Sequence, residues 1–332
     1  MTGSRRGLQQ VSVPGSAHPV LRMGCGTWPL GGPSTLAGRV TGRGAASRAD
    51  GVRLIAYACD RGMNFFDTAD IYGDGQAETI LGEALGGRDG IVICSKFGNR
   101  EDRSGALVKD FSPAWTMTAV AASLRRLRRR RIDVLLLHGP PDQFDWRTFD
   151  RTALDRLVAA GDIGSWGVSA HTAIGAERAL SADVGQVLEV IYNPLDRRIE
   201  QRLLPLAAER GVTVIARVPL AFGFISERFL RAPPPIFTDD DHRAHIPGAE
   251  RQWLIDAVAR IGFLADEPGG LVASALRFCL SDARIGICIP GLRQPQQVDQ
   301  ALAALALGPL SETLLARIAE AVPEVYPGWQ PR

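Results

Sequence analysis

Eight short apolar runs recur along the chain, at residues 20–25, 63–66, 91–94, 132–137, 163–168, 187–191, 212–216 and 285–289. Stretches with helical patterning separate them, at 48–61, 77–85, 113–130, 147–160, 173–180 and 199–210. The seventh run is followed by two such stretches, 250–264 and 271–280, and the eighth by two more, 295–305 and 311–322. Strands that alternate with helices build parallel sheets, because a parallel neighbour needs a long crossover. Eight of them favour a closed (β/α)8 TIM barrel over an open sheet. The length of 332 residues suits that fold, which takes ~250 residues plus insertions. A doubly wound dinucleotide domain would carry a GxGxxG turn after its first strand. Met23-Gly24-Cys25-Gly26-Thr27-Trp28 is too irregular for one.

Three successive runs carry polar groups at their carboxyl ends, where barrels do their chemistry. Asn64-Phe65-Phe66-Asp67-Thr68-Ala69-Asp70-Ile71-Tyr72-Gly73 brings an apolar strand to Asp67, with Tyr72 shortly after. Ile91-Val92-Ile93-Cys94-Ser95-Lys96 ends in a lysine, and Asp133-Val134-Leu135-Leu136-Leu137-His138 in a histidine. Singly, each has a bland reading. Asp67 and Lys96 would make a structural ion pair, Tyr72 a loop aromatic with a wet hydroxyl, His138 a satisfied core histidine. On consecutive strands those readings would have to coincide.

Composition excludes other classes. With 45 % hydrophobic residues the chain can bury a large core, and a net charge of +2 gives no argument for nucleic acid or an anionic membrane. No apolar run approaches the ~20 residues of a membrane helix. Arg5 and Arg6 have no apolar region after them, so residues 1–10 do not read as a secretory signal. A cytoplasmic location is expected. The five cysteines form no CxxC pair, which points to reduced thiols in or near the core and to no metal site. The acids and histidine at 239–242 read as a solvated loop. The basic run 125–131 ends a helix, where the dipole favours cations, and is expected on a solvated face. No aromatics interleave with it as a nucleic-acid surface would require.

Residues 1–12 are expected as a flexible tail and 13–332 as one barrel domain. Residues 31–46, rich in Gly, Ser and Thr, read as a loop on the active-site face. Residues 221–249 have no clean period and read as a long rim loop after strand seven.

The motifs resemble the aldo-keto reductases. Their FDTAxxYG signature stands here as Phe66-Asp67-Thr68-Ala69-Asp70-Ile71-Tyr72-Gly73 and their Ser-Lys pair as Ser95-Lys96. The run before their histidine stands as Leu135-Leu136-Leu137-His138, and their IPGxR stretch as Ile289-Pro290-Gly291-Leu292-Arg293. The resemblance extends from about residue 13 to about 323. It implies a barrel plugged at the bottom by a hairpin, here 11–22, with 221–249 covering an NADP(H) cofactor. It implies reduction of a small aldehyde or ketone, with Asp67, Tyr72, Lys96 and His138 catalytic. Cofactor contacts would come from Gly26, Thr27, Trp28, Asp67, Ser169, Glu189, Arg217, Pro219 and Leu220. Pro290, Gly291, Leu292, Arg293, Gln297 and Gln300 would supply the rest. Trp28, Tyr72, Phe97 and His138 would line the substrate site. The chain departs from the family at Ala170, Glu189, Arg217 and Gln300-Ala301, where an asparagine, a glutamine, an aromatic and a Glu-Asn pair are usual. Two other roles share the fold: a nicotinamide-binding regulatory subunit like the potassium-channel β subunits, and a biosynthetic ketoreductase for a keto-sugar or natural-product intermediate.

The chemistry follows from the groups. Carbonyl reduction needs a hydride, which a nicotinamide carries, and a proton for an oxygen that gains negative charge. A free phenol, with pKa about 10, is a poor relay near neutrality. An ammonium beside it lowers that value. Lys96 is placed to do so for Tyr72, with Asp67 holding Lys96 and His138 donating to the substrate oxygen.

Overall fold

The computed structural model describes residues 10–231 and 236–322. Among these, one eight-stranded sheet runs in chain order through β1 Cys25–Gly26, β2 Phe65–Asp67, β3 Val92–Phe97, β4 Ile132–His138, β5 Ile163–Ser169, β6 Val187–Ile191, β7 Thr213–Arg217 and β8 Ile285–Ile289. Every neighbouring pair is parallel. Bridges from Met23 to Cys288 and from Gly26 to Gly291 close the sheet on itself. There the Gly24 and Gly26 N–H groups donate to the Cys288 and Pro290 carbonyls, each at 2.9 Å.

Alternation along the strands sorts the apolar residues. Phe65, Val92, Cys94, Val134, Leu136, Val187, Ile215, Ile287 and Ile289 fill the barrel interior. Their neighbours Phe66, Ile93, Leu135, Leu137, Leu188, Val214 and Cys288 pack outward under the helices. Both faces are buried, so each strand reads as a continuous apolar run. Truncating one such side chain, as in Leu136→Ala, would cost about 2–5 kcal/mol.

Gln10–Val11 and Val20–Leu21 form an antiparallel hairpin that sends Val13 and Val20 into the barrel floor. Ser165 Oγ donates to the Pro14 carbonyl at 2.6 Å. Gly15, at φ +81°, lies so close that a Cβ would sit 2.4 Å from the Gly164 carbonyl carbon. The expected hairpin 11–22 thus begins one residue earlier, at Gln10, and the expected tail 1–12 overlaps it, while residues 1–9 and the last ten of the expected domain, 323–332, lie outside the described residues. Because Val20 serves the hairpin, the first barrel strand shrinks from 20–25 to Cys25–Gly26.

Several helices are shorter than the pattern suggested, among them 113–130, which stops at Leu127, and 250–264, which stops at Arg260. Leu203–Glu209 replaces 199–210, since Pro205 is tolerated only in a first turn. Thr152–Ala160 replaces 147–160 because Asp145 and Asp150 accept from the Arg147 and Thr152 N–H groups and fold the approach into turns. The basic run is not simply a solvated face. Arg126 Nε donates to the buried Glu78 carboxylate at 2.7 Å, Arg128 pairs with Glu83, Arg129 caps the Arg88 and Ile91 carbonyls, and Arg131 reaches Gly15. No single helix among the described residues is long and apolar enough to cross a membrane.

Three insertions crown the carboxyl ends. Residues 31–46 carry a small ladder of Thr35–Leu36 with Arg39–Val40. A second ladder, Asn99–Glu101 with Leu107–Lys109, follows β3 and was not expected. The third insertion, 221–249, is more regular than its sequence suggested. It holds a 3-10 turn at Ala221–Gly223, a helix at Glu227–Arg231, another turn at His242–His245 and the start of helix Gly248–Arg260. Its Pro-rich stretch, 232–235, lies outside the described residues. The first and third insertions meet, with His242 N–H donating to Gly42 O at 3.0 Å and Gly44 N–H to Asp240 O at 3.3 Å. Cys25, Cys94, Cys279 and Cys288 are buried, Cys59 is partly buried, and all five are unpaired.

Candidate active site

Strand alternation turns Lys96 into the barrel mouth, beside Asp67 at the end of β2. Its Nζ donates to both Asp67 carboxylate oxygens at 2.6 Å and to the Thr68 carbonyl at 3.0 Å. The same Nζ lies 3.4 Å from Tyr72 Oη. Tyr72 and His138 meet edge to face with ring centroids 5.9 Å apart. Asp67, Tyr72, Lys96 and His138 thus form one cluster at the C-terminal mouth. Thr27 ties the first strand to it, donating from Oγ1 to the Asp67 carbonyl at 2.9 Å.

A second carboxylate reaches the lysine from across the barrel. Glu189 Oε2 lies 3.3 Å from Lys96 Nζ, and Glu189 Oε1 accepts from Ser169 Oγ at 3.0 Å. Asp67, Cys94 and Glu189 offer ligand atoms within 4.8 Å of one another, but the Lys96 ammonium already supplies the cation between the two carboxylates. Arg217 Nε lies 3.9 Å from Glu189, and its Nη2 donates to the Ala170 carbonyl at 3.0 Å.

These neighbours set the charges. Burial opposes the Lys96 charge, but Asp67 and Glu189 outweigh it and hold its pKa well above the ordinary lysine value. Burial and Glu189 push Asp67 up, against Lys96. Tyr72 departs from expectation. Lys96 does lower its pKa, yet burial, with Asp67 and Glu189, carries the phenol up to about 12. Burial and the positive charges of Lys96, Lys109 and Arg217 keep His138 well below the ordinary imidazole range, hence neutral.

Of the expected cofactor residues, most end or follow β1, β7 and β8, while Asp67, Ser169 and Glu189 lie on β2, β5 and β6. Gly26 and Gly291 bring backbone to backbone, and a Cβ on Gly291 would lie 2.8 Å from Pro29 Cγ. After β7, around Pro219 and Leu220, the non-glycine residues Val218, Ala221 and Phe222 all have φ between +45° and +57°. Such strain is held where surrounding structure imposes it, commonly at binding sites. Three expected residues do other work. Leu292 is buried in the outer core. Gln297 Oε1 accepts from the Arg293 and Gln294 N–H groups and caps its own helix. Arg293 Nη1 donates to the Arg43 carbonyl at 3.1 Å and Nη2 to the Ala45 carbonyl, tying down the first insertion. Gln300, one turn into that helix, is partly buried. Trp28 bonds Thr41 O through Nε1 and packs edge-on to His242 and Phe222 under the joined insertions. Phe97, expected in the substrate site, packs outward against Phe111, because alternation gives it the opposite face from Lys96.

Sequence reasoning missed Lys109, Asn99, His171 and Arg43. Lys109 Nζ and Asn99 Nδ2 donate to the His138 carbonyl at 3.0 and 3.3 Å. His171 rests on Gly139, where a Cβ would lie 2.0 Å from its Nε2. Arg43 Nη1 donates to Phe222 O at 2.7 Å. The position of His171, two residues past the β5 terminus, was the one available signal.

A closed (β/α)8 barrel with a lysine, a tyrosine, a histidine and an acid at its C-terminal mouth defines an oxidoreductase of the aldo/keto reductase family, and the chain belongs to that family, whose model matches residues 22–323. It is similar to an Escherichia coli (strain K12) protein, NADH-specific methylglyoxal reductase, with 28 % identity over 320 residues, covering 91 % of this chain and 95 % of the relative. The holo form of aldo-keto reductase AKR11C1 from Bacillus halodurans superposes with TM-score 0.76 at 25 % identity, covering 96 % of this chain and 98 % of that one. A Klebsiella pneumoniae aldo/keto reductase in complex with NADP and acetate matches with TM-score 0.69 at 25 % identity, covering 98 % and 99 %.

Proposed function

We propose that the protein reduces an aldehyde or ketone to the alcohol, reversibly, with Tyr72 as proton donor. One observation carries this reading: Lys96 Nζ bridges the Asp67 carboxylate and the Tyr72 hydroxyl, while the His138 ring faces Tyr72. NADP(H), held by one relative in its crystal structure, supplies the hydride when bound. The paired glycines, the strained turn after β7 and Ser169, Glu189 and Arg217 would hold it. Tyr72 gives its proton to the substrate oxygen as negative charge develops there. With a pKa near 12 the phenol is fully protonated near neutrality, so the donor form is always present. Lys96 stabilises the phenolate left behind, and Asp67 with Glu189 keeps Lys96 charged. Neutral His138 donates a hydrogen bond that orients the substrate oxygen. Five unpaired thiols fit a reducing compartment, in keeping with a cytoplasmic enzyme.

The test is Tyr72→Phe. It removes the proton and little else, so NADPH binding should persist while kcat for carbonyl reduction falls by ~10²-fold or more. Retention of most of the wild-type kcat would end this assignment.

A further inference from the structure

The ladder after β3 places a lysine beside the site without an acid to match it. The Asn99 to Lys109 pairing docks the ladder on the end of β4, where Lys109 Nζ caps the carbonyl of the residue whose ring faces Tyr72. Among the described residues no carboxylate forms an ion pair with this ammonium, and burial alone lowers its pKa to about 8. A half-buried ammonium left without a counter-charge is costly unless a ligand brings one. His171 lies alongside. Gly139, at φ +66° and with no side chain, lets that imidazole sit directly on the residue after His138. The Nδ1 atoms of both His138 and His171 are buried with no hydrogen-bond partner among the described residues. Buried polar atoms are normally satisfied, so a pair of orphans at one mouth points to a ligand that supplies partners.

The cofactor phosphates do not account for this charge. In barrels of this kind phosphates sit at the loops after strands seven and eight. The sheet order puts β3 and β4 four strands away from β7 and β8, on the opposite wall.

We propose that Lys109 and His171 form an oxoanion subsite, and that the substrate is a short carbonyl compound that also carries a carboxylate or a phosphate. The proposal rests on the carbonyl-reductase reading above and names the substrate class for the same site. Lys109 caps the main chain of the same residue, His138, whose ring faces Tyr72, which is why the substrate is taken to be short.

The experiment compares matched substrates in the full-length protein. Steady-state NADPH oxidation is measured with succinic semialdehyde against butanal, and with glyceraldehyde 3-phosphate against glyceraldehyde. The readout is the ratio of kcat/KM, charged over neutral, for wild type, Lys109→Gln and Lys109→Arg. Wild type should favour the charged member of at least one pair by about tenfold or more, the effect of one charged hydrogen bond. Lys109→Gln should abolish most of that preference, chiefly through KM, and Lys109→Arg should restore part of it. Preference in the first pair alone assigns a carboxylate, and in the second alone a phosphate. If Lys109→Gln does not fold, the wild-type ratio still decides, because added salt must erode it through screening. A wild-type ratio near one, or a ratio unmoved by Lys109→Gln, with the neutral aldehydes still reduced, overturns the anion subsite and leaves carbonyl reduction standing. No NADPH oxidation with any of the four compounds overturns both.

Discussion

Lys109 gives a pH test that needs no mutation. Its pKa near 8 lies in a neighbourhood of Lys96, Arg217, His138 and His171, and both imidazoles are held neutral, His171 at about 3 by burial, Arg217 and Lys109 itself. The preference for charged carbonyls should therefore decline as pH rises through about 8. In Lys109→Arg it should stay level, and parallel declines in the two proteins would place the titration elsewhere. Stability has the opposite sense. The folded pKa lies below the unfolded one, so between about 8 and 10.5 the unfolded chain binds more protons and this group's contribution to stability rises with pH. At this scale the sequence was legible where a group closes its own strand. Asp67, Lys96 and His138 could be picked out because their positions follow from local pattern. The contact between Glu189 and Lys96 could not, since it joins β6 to β3 across the barrel interior. Lys109 was hidden because its place depends on the register of a ladder that has no apolar signature.

Among the elements, the strands were readable and the rim was not. Continuous apolar runs follow from a sheet buried on both faces, which is why eight of them could be counted. The insertion after β7 has no period because its partners are remote: the backbones of Gly42 and Gly44 and the Arg43 guanidinium hold it. Arg293 anchors the first insertion through two main-chain carbonyls, a role the IPGxR motif alone did not reveal. Its substitution tests both uses of the residue. Arg293→Ala should weaken NADPH by about 10- to 100-fold if the guanidinium also reads a 2′-phosphate. NADH should lose less, by whatever the slackened insertion costs. Titrating both cofactors while following tryptophan fluorescence separates the outcomes, and an equal loss for the two would leave the loop tie as the arginine's whole role.

The whole molecule is a closed wall wrapped in helices, and four of its five thiols are buried, Cys94 inside the barrel and Cys25, Cys279 and Cys288 between the wall and the helices. Burial and Asp67 raise Cys25 to about 12 and push Cys94 well above the ordinary thiol value, and burial raises Cys279 as well. Thiolates, not thiols, attack electrophiles. Iodoacetamide should therefore modify the folded protein first at Cys59, the one partly exposed cysteine, and all five after denaturation. Prompt adducts on Cys94, located by peptide mass mapping, would mean that the barrel opens on the labelling timescale, and prompt adducts on Cys25 that the helices lift from it. Aldehydes, too, are electrophiles that an exposed thiolate attacks. A catalyst that spends its working life among reactive carbonyls is thereby insulated from poisoning by its own reactants, and the barrel that aligns Lys96 with Tyr72, with the helices packed on it, also confers that chemical durability.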